Sequence, residues 1–125
     1  MEDDALTRRV LACCYAVHRE LGPGYPLSTY KQALAIELKR AILAFERDET
    51  IPVLYLGYEI DHLQVDFVID KIIMEVRAKP SLDKEDTVQA FAALKASSLT
   101  RCLLVAFGGE ELQFKRLNKG VRLTL

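Results

Sequence analysis

The segment IMEVRAKP, at positions 73 to 80, combines an apolar strand pattern with ionisable side chains. Glu75, Arg77 and Lys79 occupy every second position, and the residues between them are apolar. Because successive side chains of a strand point to opposite faces, this alternation predicts one buried face and one face with an acid and two bases. Carboxylates bind hard cations such as Mg²⁺, and guanidinium groups bind phosphate. The pattern indicates either a solvated face or a site.

The preceding segment IDHLQVDFVID alternates in the same way, and together the two segments predict a hairpin with a turn at Asp70-Lys71. In that register Ile69 lies opposite Ile72, and Asp66 falls opposite Glu75. Directly opposed residues share a face, with Cβ atoms about 4.5–5.5 Å apart, so these two carboxylates would repel each other. A divalent cation, a salt bridge from Arg77, or hydration on an exposed face would offset this repulsion. The residues alone leave the three arrangements open.

The rest of the first hundred residues predicts two helices, a strand and a third helix. Apolar residues recur at helical spacing over 5–20 and over 27–43, and a Gly-Pro-Gly segment separates the two stretches. From Phe45 the period changes to two, with Pro52 marking an edge strand or a bulge. A helix is predicted over 84–97, and we expect its buried side to contain Val88, Phe91, Ala92 and Leu99.

The end of the chain predicts two further strands. RCLLVAFGG is a continuous apolar run ended by two glycines, which is typical of a strand covered on both faces. LQFKRL then alternates and predicts a shorter strand. Strands separated by helices, with one strand doubly covered, predict an α/β fold built on a mixed sheet.

The composition limits the classes of function. With 125 residues we expect a single domain over 1–125. The formal net charge of −1 excludes a global basic field for nucleic acid, so any DNA or RNA contact would be local. The three cysteines lack metal-ligand spacing and indicate reduced thiols. The sequence contains neither the apolar run of a signal peptide nor that of a membrane helix, and we expect a cytoplasmic protein without a membrane partner.

Several separated motifs together resemble one group of nucleases. AVHRELGPG, the tyrosine at position 30, ALAIEL, VDFVIDKIIMEVRA, FGG and LQFKRL follow one another as in the GxxExxY protein family, a branch of the PD-(D/E)XK nuclease superfamily. The resemblance extends from about residue 6 to residue 118. It implies a restriction-endonuclease-like fold, with a mixed central β-sheet flanked by helices. It also implies hydrolysis of nucleic-acid phosphodiester bonds with Mg²⁺ or Mn²⁺ as cofactor.

The resemblance assigns roles to residues one by one. Asp66 and Glu75 match the acids that hold the metal, and Arg77 stands at the position of the catalytic lysine. The catalytic set also includes Gln89, at the third helix. Substrate binding is assigned to Arg77, Lys79 and Tyr30, where Tyr30 matches the tyrosine of the GxxExxY motif.

This sequence departs from the family pattern at four positions. Leu27 replaces the glutamate of the GxxExxY motif, and Arg77 replaces the lysine. Asp86 stands where family members carry a histidine, and Val65 stands where the superfamily has a proline. An arginine stays protonated, so Arg77 cannot take a proton from water, although it binds phosphate well.

Three functions follow from these assignments. The first is a nuclease-superfamily domain with an eroded phosphodiesterase site that retains nucleic-acid or metal binding. The second is an active Mg²⁺-dependent nuclease that uses Asp66, Glu75 and a displaced Lys79. The third is a non-enzymatic assembly module that pairs with a second copy of itself or with another protein. The loss of the motif glutamate and the lysine favours the first.

Overall fold

The computed structural model describes residues 5–120. Three helices and five strands follow the predicted order of helix, helix, three strands, helix and two strands. None of the helices in this range has the length and apolar character that a membrane crossing requires. The elements are α1 Ala5–Leu21, α2 Leu27–Arg40, β1 Phe45–Tyr55, β2 Tyr58–Ile69, β3 Ile72–Arg77, α3 Lys84–Ala96, β4 Arg101–Ala106 and β5 Gln113–Asn118.

The five strands form one mixed sheet in the order β1-β2-β3-β4-β5. β1 and β2 are antiparallel, as are β2 and β3. Just after β4, the Phe107 N–H donates to the Arg77 carbonyl and the Gly108 N–H donates to the Lys79 carbonyl. These pairs advance in the same direction along both segments, so β3 and β4 run parallel. A parallel pair needs a crossover connection, and α3 supplies it.

The predicted hairpin register is confirmed. Ile69 pairs with Ile72, and the next pairs are Val68 with Ile73 and Phe67 with Met74. The prediction for Pro52 is confirmed as well, because β1 is the edge strand and its register shifts between Val53 and Leu54. A proline on an edge strand removes no ladder hydrogen bond, and a bulge obstructs pairing with another strand.

The contacts within the chain divide it into two compact units. One unit contains α1, α2 and the segments Val76–Leu82 and Val105–Phe114. Its helices pack on each other through fully buried residues such as Val10, Leu34 and Leu38.

The other unit contains the segments Phe45–Glu75 and Asp83–Leu104. In it α3 packs on β1 and β2. Its core includes the fully buried Val65, Phe67 and Ile69, which is the apolar face predicted for β2.

The buried side predicted for α3 is wrong. Val88 is 39% exposed and Ala92 is exposed, while Phe91 and Leu99 are only half-buried. The residues buried instead are Asp86, Thr87, Ala90, Ala93 and Leu94.

Polar contacts at the start of α3 account for this difference from the predicted buried side. The Asp86 carboxylate accepts from the Asp83 N–H at 2.9 Å and the Asp83 carboxylate accepts from the Asp86 N–H at 2.9 Å, which is a capping box. Thr87 accepts a hydrogen bond from the Lys115 ammonium at 3.1 Å. The capping box satisfies the first turn locally, and the hydrogen bond from Lys115 joins that turn to β5, so polar residues lie inward where the apolar stripe was expected.

Candidate active site

The two acids of the hairpin lie on neighbouring strands. The register of β2 and β3, continued by one residue beyond Phe67 and Met74, sets Asp66 opposite Glu75. Glu75 is buried, with 7% of its surface exposed, and Asp66 is half-buried. A solvated face is therefore excluded for Glu75. Burial of a carboxylate costs free energy unless a charge or hydrogen bonds compensate for it. The Asp66–Glu75 pair is therefore not an incidental surface arrangement.

A third acid follows from the register of β1. Arg47 pairs with Phe67 and Glu49 pairs with Val65, so Asp48 lies across from Asp66. Asp48 has a φ of 54° and is exposed. Within residues 5–120, no group of three His, Cys, Asp or Glu side chains comes close enough to hold a metal ion. The row of acids therefore does not close into a three-ligand site. The alternation within β1 does not set its register against β2, so Asp48 was not predicted as part of the site.

Arg77 and Lys79 are fixed through their backbone. The Arg77 carbonyl accepts from the Phe107 N–H at 2.9 Å and the Lys79 carbonyl accepts from the Gly108 N–H at 3.0 Å. Both side chains are half-buried. The Arg77 guanidinium also donates to the carbonyl of Val76 at 3.2 Å. The strand end that carries the two cations is thus held in place by the FGG segment, residues 107–109.

The glycines of the FGG segment are required by the closeness of two backbones. A Cβ atom at Gly108 would lie 1.9 Å from the carbonyl oxygen of Ala78, and one at Gly109 would lie 2.7 Å from that of Pro80. No side chain fits at the first distance, so only glycine lets the two backbones approach there.

His18 and Tyr30 contact the FGG segment from the helices of the same unit. His18 Nε2 lies 2.8 Å from the Gly109 carbonyl, and since a carbonyl only accepts, this nitrogen carries the proton. The Tyr30 ring stacks on Phe107 with centroids 5.0 Å apart, and its hydroxyl donates to the Gly22 carbonyl at 2.6 Å. Tyr30 is fully buried, so the structure gives it a packing role, and substrate binding by Tyr30 stays a prediction.

The helix positions of the family pattern have local explanations. Leu27, at the glutamate position of the motif, is the first residue of α2 and is 36% exposed. Because it is a leucine, it supplies no carboxylate there. Asp86, at the histidine position, belongs to the capping box of α3. Gln89 is exposed, and its amide donates to the Glu85 carboxylate at 3.5 Å. A catalytic role for Gln89 stays a prediction.

A family model described as the PD-(D/E)XK nuclease superfamily matches residues 4–117 of the chain. The chain belongs to the PD-(D/E)XK nuclease superfamily. No curated protein matches this superfamily member in sequence. Among solved structures it is similar to the crystal structure of an alkaline exonuclease, LHK-Exo, from Laribacter hongkongensis, with a TM-score of 0.53 and 12% identity.

The match to LHK-Exo covers 94% of this chain and 72% of that chain. At this identity the similarity shows the fold. The predicted fold class is therefore confirmed: an α/β domain of the restriction-endonuclease-like kind, built on a mixed five-stranded sheet with three helices.

Proposed function

We propose that this PD-(D/E)XK domain belongs to the GxxExxY branch and binds nucleic-acid phosphodiesters, and that its hydrolytic activity is eroded. The observation that carries the proposal is Arg77 at the position of the catalytic lysine, where its carbonyl accepts a backbone hydrogen bond from Phe107 of the FGG segment. A guanidinium two residues along β3 from Glu75 is suited to binding a phosphate.

The carboxylate pair fits a divalent cation that is shared with substrate. Asp66 and Glu75 would hold Mg²⁺ or Mn²⁺, since Mg²⁺ is commonly bound by one or two carboxylates together with substrate phosphates and water. The absence of a three-ligand group within residues 5–120 argues against an ion held by the protein alone. When bound, the ion would polarise the phosphate and lower the pKa of a bound water.

The residues of this chain supply binding but lack a proton acceptor at the lysine position. Arg77 stays protonated at neutral pH and therefore stabilises negative charge without taking a proton from water. Leu27 offers neither a metal ligand nor a group that orients water. Loss of both functions predicts a large drop in hydrolysis and a smaller effect on phosphate binding.

The proposal is tested by the binding of labelled oligonucleotides, followed by fluorescence anisotropy in Mg²⁺, Mn²⁺ or EDTA. We expect binding that divalent ions strengthen. Asp66→Asn should remove the metal-dependent part, while Arg77→Gln should weaken binding under all three conditions. Arg19→Gln, a change of an exposed arginine on α1, is the matched control and should leave affinity unchanged.

Two results would contradict the proposal. One is the absence of binding to single- and double-stranded DNA and RNA. The other is binding that Arg77→Gln and Arg19→Gln reduce equally, because that would indicate a general charge effect. A thermal shift gives an independent measurement of the metal: millimolar Mg²⁺ should raise the melting temperature of the natural protein and leave that of Asp66→Asn unchanged.

A further inference from the structure

Two of the three residues of the FGG segment are glycines, which leaves this segment almost without side chains. Glycine also loses more conformational freedom on folding than any other residue. The close approach of Ala78 requires glycine at position 108, so the residue type that admits the neighbouring backbone also has no side chain to hold it. Contacts from outside the segment must therefore fix its position.

Two helix side chains hold the FGG segment, one at each end. The Phe107 ring stacks on the Tyr30 ring with centroids 5.0 Å apart and an interplanar angle of 14°. At the other end, the Gly109 carbonyl accepts a hydrogen bond from the His18 ring at 2.8 Å. Gly108, which lies against the end of β3, is therefore held between a ring stack and a hydrogen bond.

The hydrogen bond of the His18 ring is not a local helix contact. A histidine in the last turn of a helix can donate to the terminal carbonyls of that helix. His18 lies in the last turn of α1, but its ring contacts Gly109, 91 residues later in the chain. The backbone carbonyl of His18 accepts from the Gly22 N–H at 2.8 Å. The ring therefore joins the end of α1 to the FGG segment.

The two ends of the FGG segment are also connected through the Gly-Pro-Gly turn. The Tyr30 hydroxyl donates to the Gly22 carbonyl at 2.6 Å and accepts from the Tyr25 N–H at 3.4 Å. The Gly22 N–H in turn donates to the His18 carbonyl. A path of contacts thus runs from His18 through Gly22 and Tyr30 to Phe107, and it returns through the FGG segment to His18. In a closed path, displacement of one residue stretches two contacts.

We infer that His18 is a positioning residue for Arg77 and Lys79. The segment Val76–Leu82 belongs to the same compact unit as His18 and the FGG segment. The His18 ring fixes the FGG segment, and the FGG segment fixes the backbone from which the two cationic side chains start. In what it says of phosphate binding, the inference rests on the proposed function.

The position of this backbone matters because a guanidinium binds phosphate through a rigid planar fork. Side chains of a binding site must be held within about 0.5 Å of their productive positions. β3 ends at Arg77, so Lys79 lies beyond the strand, and its backbone contact comes from the FGG segment. Loss of the His18 contact should therefore weaken phosphate binding although His18 itself need not touch the phosphate.

The first measurement is amide hydrogen exchange followed by NMR, which requires no ligand. His18→Leu keeps a side chain that favours helices and removes the N–H donor. His18→Gln places an amide N–H at about the same reach from the backbone as Nε2 and should restore the contact. The exchange rates of the Phe107 and Gly108 amides are compared with that of the Leu43 amide. This reference amide donates to the Leu38 carbonyl at 3.0 Å, outside the closed path.

In His18→Leu, the Phe107 and Gly108 amides should exchange roughly two- to tenfold faster relative to Leu43, the factor that corresponds to the loss of one hydrogen bond. In His18→Gln the ratios should stay close to those of the natural protein. A loss of overall stability would instead accelerate all three amides alike. The matched control is His62→Leu, a change of an exposed histidine on β2, and it should leave the ratios unchanged.

The second measurement is the binding of a labelled oligonucleotide in Mg²⁺, followed by fluorescence anisotropy. His18→Leu should bind roughly two- to tenfold more weakly than the natural protein, in line with the expected change in exchange. His18→Gln should regain most of the affinity. His62→Leu should bind as tightly as the natural protein.

Three results would overturn the inference. The first is an unchanged ratio of exchange rates in His18→Leu. The second is equally fast exchange in His18→Gln and His18→Leu, because the N–H donor would then not be responsible. The third is faster exchange in His18→Leu with unchanged oligonucleotide affinity, because the contact would then not position the phosphate-binding side chains. If the natural protein binds no oligonucleotide, the proposed function fails, and the exchange ratios still decide whether His18 holds this backbone.

Discussion

Replacement of Gly108 by alanine tests the close backbone contact between the FGG segment and residues 77–80, which positions Arg77 and Lys79. The new Cβ would lie 1.9 Å from the Ala78 carbonyl oxygen and 2.6 Å from the Lys79 carbonyl carbon. An ordinary carbon–oxygen contact is about 3.3 Å, so the two backbones must separate by more than 1 Å. Both neighbouring atoms are backbone, and no side-chain rotation relieves the overlap.

The expected cost follows from what that separation breaks. The hydrogen bonds from Phe107 to Arg77 and from Gly108 to Lys79, now 2.9 and 3.0 Å long, would be lost or stretched. Each contributes about 0.5–1.5 kcal/mol, and forcing an extra carbon into a packed site costs about 1–3 kcal/mol. The free energy of unfolding should therefore fall by roughly 2–6 kcal/mol.

The measurement is urea unfolding followed by far-ultraviolet circular dichroism. Gly22→Ala is the matched control, because Gly22 has a φ of 67° and open space around its Cβ position. It should lose only the cost of a left-handed alanine, about 1–2 kcal/mol. If the Gly108→Ala variant is at least as stable as Gly22→Ala, the two backbones do not require glycine at position 108, which would refute this reasoning.

Three further predictions concern single contacts. Tyr30→Phe keeps the stack on Phe107 and removes the hydroxyl bound to Gly22, so it should cost about 1 kcal/mol in the same assay, against no change for the exposed Tyr15→Phe. Asp83→Ala removes the cap of α3 and should cost about 1 kcal/mol, while Asp83→Asn should retain most of it. Burial raises the pKa of the Cys14 thiol, so the thiol stays protonated to a higher pH in the folded state than in the unfolded chain. The free energy of unfolding should therefore fall as the pH rises above about 8.5. That fall should be smaller in Cys14→Ala between pH 7 and pH 10, and equal slopes would contradict the assignment.

The hairpin that carries the acids could be predicted from the sequence because two local signals agreed. Alternation assigned the faces of β2 and β3, and the two-residue turn fixed Ile69 against Ile72, so one count placed Asp66 opposite Glu75. The continuous apolar run at 101–109 predicted a buried strand for a similar reason, and residues 102–107 are buried.

The features that were not predicted depend on neighbours distant in sequence. The side predicted to be buried in α3 was wrong because Thr87 in its first turn accepts a hydrogen bond from Lys115, 28 residues later, and helical periodicity does not record such a partner. The need for glycine at position 108 arises from the approach of Ala78, thirty residues earlier, once β3 and β4 lie parallel. The burial of Glu75 likewise depends on what covers the strand rather than on its alternation.

On the proposed function, the site retains its carboxylates and has lost the groups that hydrolysis requires. A nuclease assay with Mg²⁺ and Mn²⁺ on single- and double-stranded DNA and RNA distinguishes an eroded site from an active one. It compares the natural protein, Glu75→Ala, and the double variant Leu27→Glu with Arg77→Lys. We expect little or no cleavage by the natural protein and cleavage by the double variant, because the change supplies an acid and a proton acceptor to an intact scaffold. Cleavage by the natural protein that disappears in Glu75→Ala would contradict the claim.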